Sequence, residues 1–171
     1  MYSSFARKLF EAESSQEAAN EIASLVEKLR TKRPSFDEFK VAFREIAYTN
    51  ANSKQKNLVR YILRKVSEHQ QYKYPTDYEE LTVEHLHPQS LTDKDGWNEL
   101  NVGQIGNLLF LDQKANGEMN VKSPKDKIAY LKKHKYSVPD ELTEVEIWTP
   151  DLAQARTDMI AEIAYTKIWS I

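Results

Sequence analysis

The sequence predicts a mainly α fold carrying one small ββα element, with N-terminal and C-terminal helices packed around it. Three observations lead there. Most apolar residues recur at spacings of three and four, the period of a helix with one inward face. Two short apolar runs break that period: residues 81–83 ahead of Glu84-His85, and residues 108–111 behind Ile105-Gly106-Asn107. A helix-like segment then starts near Gln113, directly after the second run.

Taken in order, residues 3–12 read as a short helix with Phe5, Leu9 and Phe10 apolar. Ser14-x-x-Glu17 is a capping box, and the helix it opens runs to about Arg30 with Ile22, Leu25, Val26 and Leu29 on one face. Ser35 with Glu38 repeats the signal and opens a helix striped by Phe36, Phe39, Phe43 and Ile46. Ser53 is the expected cap of a third, running to about Gln70 with Leu58, Tyr61, Ile62 and Val66 inward. These stripes read as core. Residues 71–80 are a connector. A strand covers residues 81–85 and stops at Pro88. Residues 89–104, containing Trp97, form a polar loop longer than most connections in a compact domain. The second strand covers residues 108–111, and Gly117 weakens the helix after it. Ser123-Pro124 is an N-cap followed by a proline at the first helical position, opening a helix to about Lys133. Thr149-Pro150-Asp151 opens the last helix, to Trp169, with Leu152, Met159, Ile163 and Ile168 apolar.

A chain of 171 residues fits one domain, read as a helical extension over 1–75 and the ββα unit with its C-terminal helices over 76–171. Mean hydropathy of −0.67 and 29% charged residues fit a solvated surface. No apolar stretch approaches the ~20 residues of a membrane helix. Residues 1–10 show no signal peptide. The lack of cysteine excludes disulfides and thiolate-held zinc, and a cytoplasmic location is the expectation. A net charge of −2 argues against a general nucleic-acid coat. Basic residues nevertheless gather on both sides of the strand pair: Lys54, Lys56, Arg60, Arg64, Lys65 and Lys73 before it, Lys114, Lys122, Lys125, Lys127, Lys132, Lys133 and Lys135 after it. Any one run reads best as a solvated helix face. Two runs flanking one site point to a phosphate-binding surface.

His85, Asn107 and Asn116 stand at the corners of a strand, loop, strand, helix order, the pattern of an HNH (ββα-metal) nuclease site. Each residue type suits phosphodiester hydrolysis. A histidine at a strand end can take a proton near neutral pH. The Glu84 carboxylate and an amide oxygen are hard donors for Mg²⁺ or Mn²⁺. A second asparagine can tie the histidine loop to the next strand. Other readings stay open on the residues alone. A lone strand histidine is more often packed than catalytic. His85 and His87 would share a face and form a His-x-His metal site if the strand continued past Pro88. Asn107 reads equally as a turn residue, and Asn116 as a helix cap.

The run Glu84-His85-Leu86-His87-Pro88-Gln89-Ser90, with Trp97, Ile105-Gly106-Asn107-Leu108, Asn116 and Asn120, resembles the C-terminal HNH nuclease domain of GmrSD-type modification-dependent restriction endonucleases. The likeness continues through Lys125, Lys127, Tyr130, Trp148-Thr149, Arg156-Thr157 and Ile168-Trp169, covering roughly residues 53–171. It implies a metal-dependent DNA endonuclease or nickase of restriction or anti-phage defence. In that likeness His85 is the general base, and Asn107 holds the base-bearing loop. Glu84 and Asn116 are the ligands of one divalent ion. His87, Asn120, Lys125, Lys127 and Arg156 are candidates for touching substrate or supporting the ligands. Glu84 stands where related domains often have Asp, and Asn116 where many have His. That oxygen-rich pair favours Mg²⁺ or Mn²⁺ over Zn²⁺. DNA is the implied partner, together with a ParB-like nucleotide-binding domain or subunit outside this chain, since no Gly-rich phosphate loop and no Asp-Gly-x-x-Arg pattern occurs here. The competing expectation is a non-catalytic nucleic-acid or protein-interaction module on a decayed HNH scaffold.

Overall fold

A computed structural model describes residues 2–119 and 121–171. The described residues are mainly helical: α1 (Tyr2–Glu11), α2 (Ser15–Lys32), α3 (Phe36–Arg44), α4 (Lys56–His69), α5 (Glu99–Gly103), α6 (Gln113–Met119), α7 (Pro124–Lys133) and α8 (Pro150–Ile163). Between α4 and α6 lies an antiparallel pair, β1 (Leu81–His85) and β2 (Leu108–Asp112). No described helix is long and apolar enough to cross a membrane.

The register pairs Leu81 with Asp112, Val83 with Phe110 and His85 with Leu108. Both faces of the pair are covered. On one, Leu81, Val83, Leu108 and Phe110 pack with Phe43 of α3, Val59, Ile62, Leu63 and Val66 of α4, and Ile160 and Ala161 of α8. On the other, Leu109 and Leu111 pack with Trp97, Val102, Ala115, Ile128, Leu131 and Trp148. Double coverage explains why β2 is apolar at successive positions instead of alternating.

The caps at Ser35, Ser123 and Thr149 each accept a bond from the backbone three residues on. Ser14 also caps α2, although the Glu17 carboxylate takes the Glu13 N–H, not that of the cap. Ser53 does not cap α4. That helix begins after Gln55 without a side-chain cap. Two helices turn a different face inward from the one their apolar stripes predict. In α4 the buried residues are Val59, Ile62, Leu63, Val66 and Ser67, while Leu58 and Tyr61 are exposed, and Tyr61 stacks on Trp169. In α8 the buried line is Ala153, Arg156, Thr157, Ile160 and Ala161, with Leu152 outside. For α8 the reason is a close approach: a Cβ on Gly106 would sit 1.9 Å from the Ala153 carbonyl oxygen, so Ala153 and Thr157 are the residues that face that turn. The final helix also ends earlier than predicted, widening into a π-type turn over Ala164–Ile168. None of the α2 stripe is buried, and Phe10 of α1 is 91% exposed, so these two helices pack chiefly on each other.

The predicted long loop holds structure of its own. Residues Gln89–Leu91 form a 3₁₀ turn, and Asn98 and Asn101 cap each other at the start of α5. Trp97 is buried beneath it.

Candidate active site

Strand alternation sends Glu84 and His85 to opposite faces of the end of β1. His85 turns toward the segment between α3 and α4. Its Nε2 lies 2.7 Å from the Tyr48 carbonyl oxygen, and its Nδ1 lies 3.1 Å from the Gln89 Nε2. The Tyr48 segment is itself held by a bond from its N–H to Gly103 (2.9 Å). A carbonyl can only accept, so Nε2 carries the proton and Nδ1 is the basic nitrogen. Burial pushes the His85 imidazole down to about 4, against the raising effect of the Tyr48 carbonyl, with Lys127 adding to the depression. The ring is therefore neutral at ordinary pH.

Glu84 turns the other way, onto α7. Lys127, 1% exposed, donates to its Oε1 at 2.5 Å and to the His85 carbonyl at 2.6 Å. Burial pushes the Glu84 carboxyl up and the Lys127 ammonium down, and their mutual attraction opposes both shifts. A lysine on α7 thus fixes the backbone and carboxylate at the strand end in one contact.

Asn107 closes the 3₁₀ turn Ile105–Asn107 ahead of β2 and is fully buried. Its Oδ1 accepts from the His87 N–H (2.8 Å) and the Trp148 indole (3.0 Å). Its Nδ2 donates to the carbonyls of His87 (3.1 Å) and Val102 (2.7 Å), and its own carbonyl takes the Leu86 N–H (2.7 Å). Asn116, in the middle of α6, is half-buried and donates from Nδ2 to Thr82 Oγ1 (2.8 Å) and the Val83 carbonyl (3.3 Å). Among the described residues its Oδ1 accepts no hydrogen bond.

Two clefts meet at the strand end. The larger, 650 Å³, is lined by Glu84, His85, Asn50 and Gln89 together with Thr49, Ser90, Asp93 and Glu99. The smaller, 310 Å³, is lined by the same four residues with Tyr48, Lys56, Arg60, Thr82 and Asn116. His85, Glu84 and Asn116 are thus brought to one cleft, beside two basic side chains. The other candidates lie elsewhere. His87 is buried flat against Trp97, with ring centres 4.1 Å apart. Arg156 is buried and bonds Gly106, Leu108 and Glu141. Lys125 is exposed and pairs with Glu146. Asn120 lies outside the described residues. No group of three or more His, Cys, Asp or Glu is gathered as a metal site among the described residues. Among the residues lining the small cleft, Glu84 carries a carboxylate and Asn116, like Asn50 and Gln89, an amide oxygen, all hard donors, and Lys127 already holds one Glu84 oxygen.

Sequence reading missed Tyr48, Gln89 and the Glu84–Lys127 pair. Gln89 stands within the motif itself, and its side chain reaches four residues back to His85. Tyr48 acts through its backbone, which leaves no trace in residue type.

The family model described as GmrSD restriction endonucleases, C-terminal domain, matches residues 33–163. No curated protein and no solved structure matches the chain.

Proposed function

The chain belongs to the family of GmrSD restriction endonuclease C-terminal domains, and on that premise we propose that it hydrolyses phosphodiester bonds in DNA with His85 as the general base. The observation that carries this reading is the position of His85 at the end of β1, in one cleft with Glu84 and Asn116. The imidazole proton is held on Nε2 by the Tyr48 carbonyl, which leaves Nδ1, against the Gln89 amide, as the basic nitrogen. Nδ1 takes the proton of the attacking water, and the Tyr48 carbonyl supports the imidazolium that forms. Glu84 and Asn116 are the residues that would hold a divalent ion, with hard oxygens that favour Mg²⁺ or Mn²⁺. Such an ion, when bound, supplies charge neutralisation at the phosphate and the departing 3′ oxygen. Lys56, exposed and lining the same cleft, is better placed for a neighbouring phosphate than Lys125 or Arg156, whereas the Arg60 guanidinium is held by the Leu81 and Tyr78 carbonyls. Asn107 holds the loop that carries the motif. A single site cuts one strand, so nicking is the elementary activity. The setting we propose is restriction or anti-phage defence in the cytoplasm, with recognition of modified DNA supplied by a ParB-like domain or subunit.

A plasmid-nicking assay with Mg²⁺ or Mn²⁺ tests this. The parent protein nicks, and His85→Ala loses ~10²–10⁴ in rate while keeping its fold and DNA affinity. Nicking at the parent rate by that variant would remove His85 from the role. One observation favours a second reading: the buried Glu84–Lys127 pair already occupies one carboxylate oxygen. A decayed, non-catalytic nucleic-acid module would bind DNA and fail to nick it, whichever metal is added.

A further inference from the structure

We infer that Gln89 is a positioning residue that caps the basic nitrogen of His85 in the resting protein and must withdraw before a DNA strand can lie across the site. The inference rests on the reading of His85 as the base.

Two backbone groups fix the hydrogen-bond directions. The Asn50 N–H donates to the Gln89 Oε1 at 2.7 Å, so that oxygen cannot be the atom facing His85. The Gln89 Nε2 therefore faces the imidazole as a donor, 3.1 Å from Nδ1. The Tyr48 carbonyl requires the proton on the other ring nitrogen. The nitrogen that would accept a proton from water is thus already accepting one bond from an amide. His85 is 4% exposed, and the amide occupies the lone pair on which a water would have to donate.

The same side chain stands between the two clefts. Asn50, Glu84, His85 and Gln89 line both, and the bond between Gln89 and Asn50 ties the α3–α4 segment to the motif loop across the gap. The clefts differ in character on either side. Lys56 and Arg60 lie on one, Asp93 and Glu99 on the other. A continuous strand crossing His85 needs that bridge open. Gln89 is half-buried and sits on a single 3₁₀ turn, so its side chain can swing without breaking a helix or strand. An amide bond to a neutral ring exchanged for one to water is nearly balanced, which suits a cap that opens when substrate arrives.

The test uses chemical access to His85 itself. Diethyl pyrocarbonate acylates unprotonated imidazole, and peptide mass spectrometry resolves His69, His85, His87 and His134. In Gln89→Ala and the bulkier Gln89→Leu, His85 should be modified roughly tenfold faster than in the parent, the change expected for removing one net hydrogen bond. The exposed His69 and His134 should keep their rates. The Nδ1 signal of His85 in ¹⁵N spectra should move in both variants while the Nε2–H signal stays. With plasmid substrate, kcat should hold or rise in both. Unchanged His85 modification and an unmoved Nδ1 signal in two folded variants would overturn the cap. So would a loss of kcat as large as that of His85→Ala. A parent protein that never nicks would overturn the nuclease reading instead, and the modification rates would still decide whether Gln89 covers the ring.

Discussion

Two asparagines nine residues apart meet opposite fates. Asn107 is sealed in the interior, and both ends of its amide are committed: two bonds accepted, two donated. Asn116 is committed at one end only. Its nitrogen pins α6 to β1, its oxygen accepts no bond among the described residues, and the residue lines the small cleft with Glu84 and His85. A buried amide with every lone pair and proton placed fixes a loop in one geometry. A half-committed amide on an open cleft has an oxygen to offer a ligand. Residue type does not separate the two roles; burial and bond count do.

The widest gap between the corners should appear in stability. Asn107→Ala removes the acceptor of the His87 N–H and the Trp148 indole, and the donor to two buried carbonyls. Each buried group left without a partner costs about 1–3 kcal/mol, so a loss on the order of 4 kcal/mol is expected in urea unfolding. A loss below about 1 kcal/mol would mean water replaces these bonds and the corner is not sealed.

Acid sharpens the comparison, because the Asn116 side carries titratable groups and the Asn107 amide does not titrate. The folded His85 lies at about 4 against 6.5 in the unfolded chain. Between those values the unfolded state binds more protons, so stability rises with pH there. The contribution is full above about 6.5 and lost as pH falls toward about 4, at most roughly 3 kcal/mol. His87, also depressed by burial, acts with the same sign, and Glu84, raised by burial, with the opposite one. Hence the useful quantity is the difference between parent and His85→Asn. That variant should flatten the slope of unfolding free energy between pH 4 and 6.5, while Asn107→Ala should lower the curve without flattening it. Parallel curves for parent and His85→Asn would place His85 in water.

Much of this contrast was beyond the reach of sequence. The caps at Ser35, Ser123 and Thr149 and the break at Pro88 were legible because they are local, as was the strand pair. An asparagine opening a strand was visible too, but not Trp148, 41 residues on, whose indole shares its oxygen. Lys127 meets Glu84 from 43 residues away, and a lysine in a basic run gives no sign that it is buried. In α4 and α8 the apolar stripe overlapped the buried face without matching it. In α8 periodicity weights large side chains, whereas the tight approach of Gly106 selects Ala153 and Thr157. The α2 stripe failed for another reason: it lies beside α1, outside the two clusters that cover the sheet, so amphipathic pattern there did not become burial.

The smallest expected effect on stability belongs to Asn116, and that is what makes it informative. Asn116→Ala removes bonds to a partly buried hydroxyl and to one strand carbonyl, worth about 1 kcal/mol together. If its oxygen is a ligand, the loss in metal affinity should exceed the loss in stability. Calorimetric titration of Mn²⁺ should then show weaker binding, and nicking should fall and recover in part at higher metal concentration. Asn116→Asp should restore metal binding by adding charge to an oxygen donor, although its lost amide leaves Thr82 and the Val83 carbonyl without their donor. Asn116→His should shift preference toward Co²⁺ and Zn²⁺, since imidazole is the softer ligand. A purely structural asparagine predicts another order: the Asp and Ala variants equally destabilised, Mn²⁺ affinity unchanged in both, and no recovery with added metal. In that outcome the open oxygen of Asn116 faces only water, Glu84 alone remains as a ligand, and the contrast with Asn107 reduces to depth of burial.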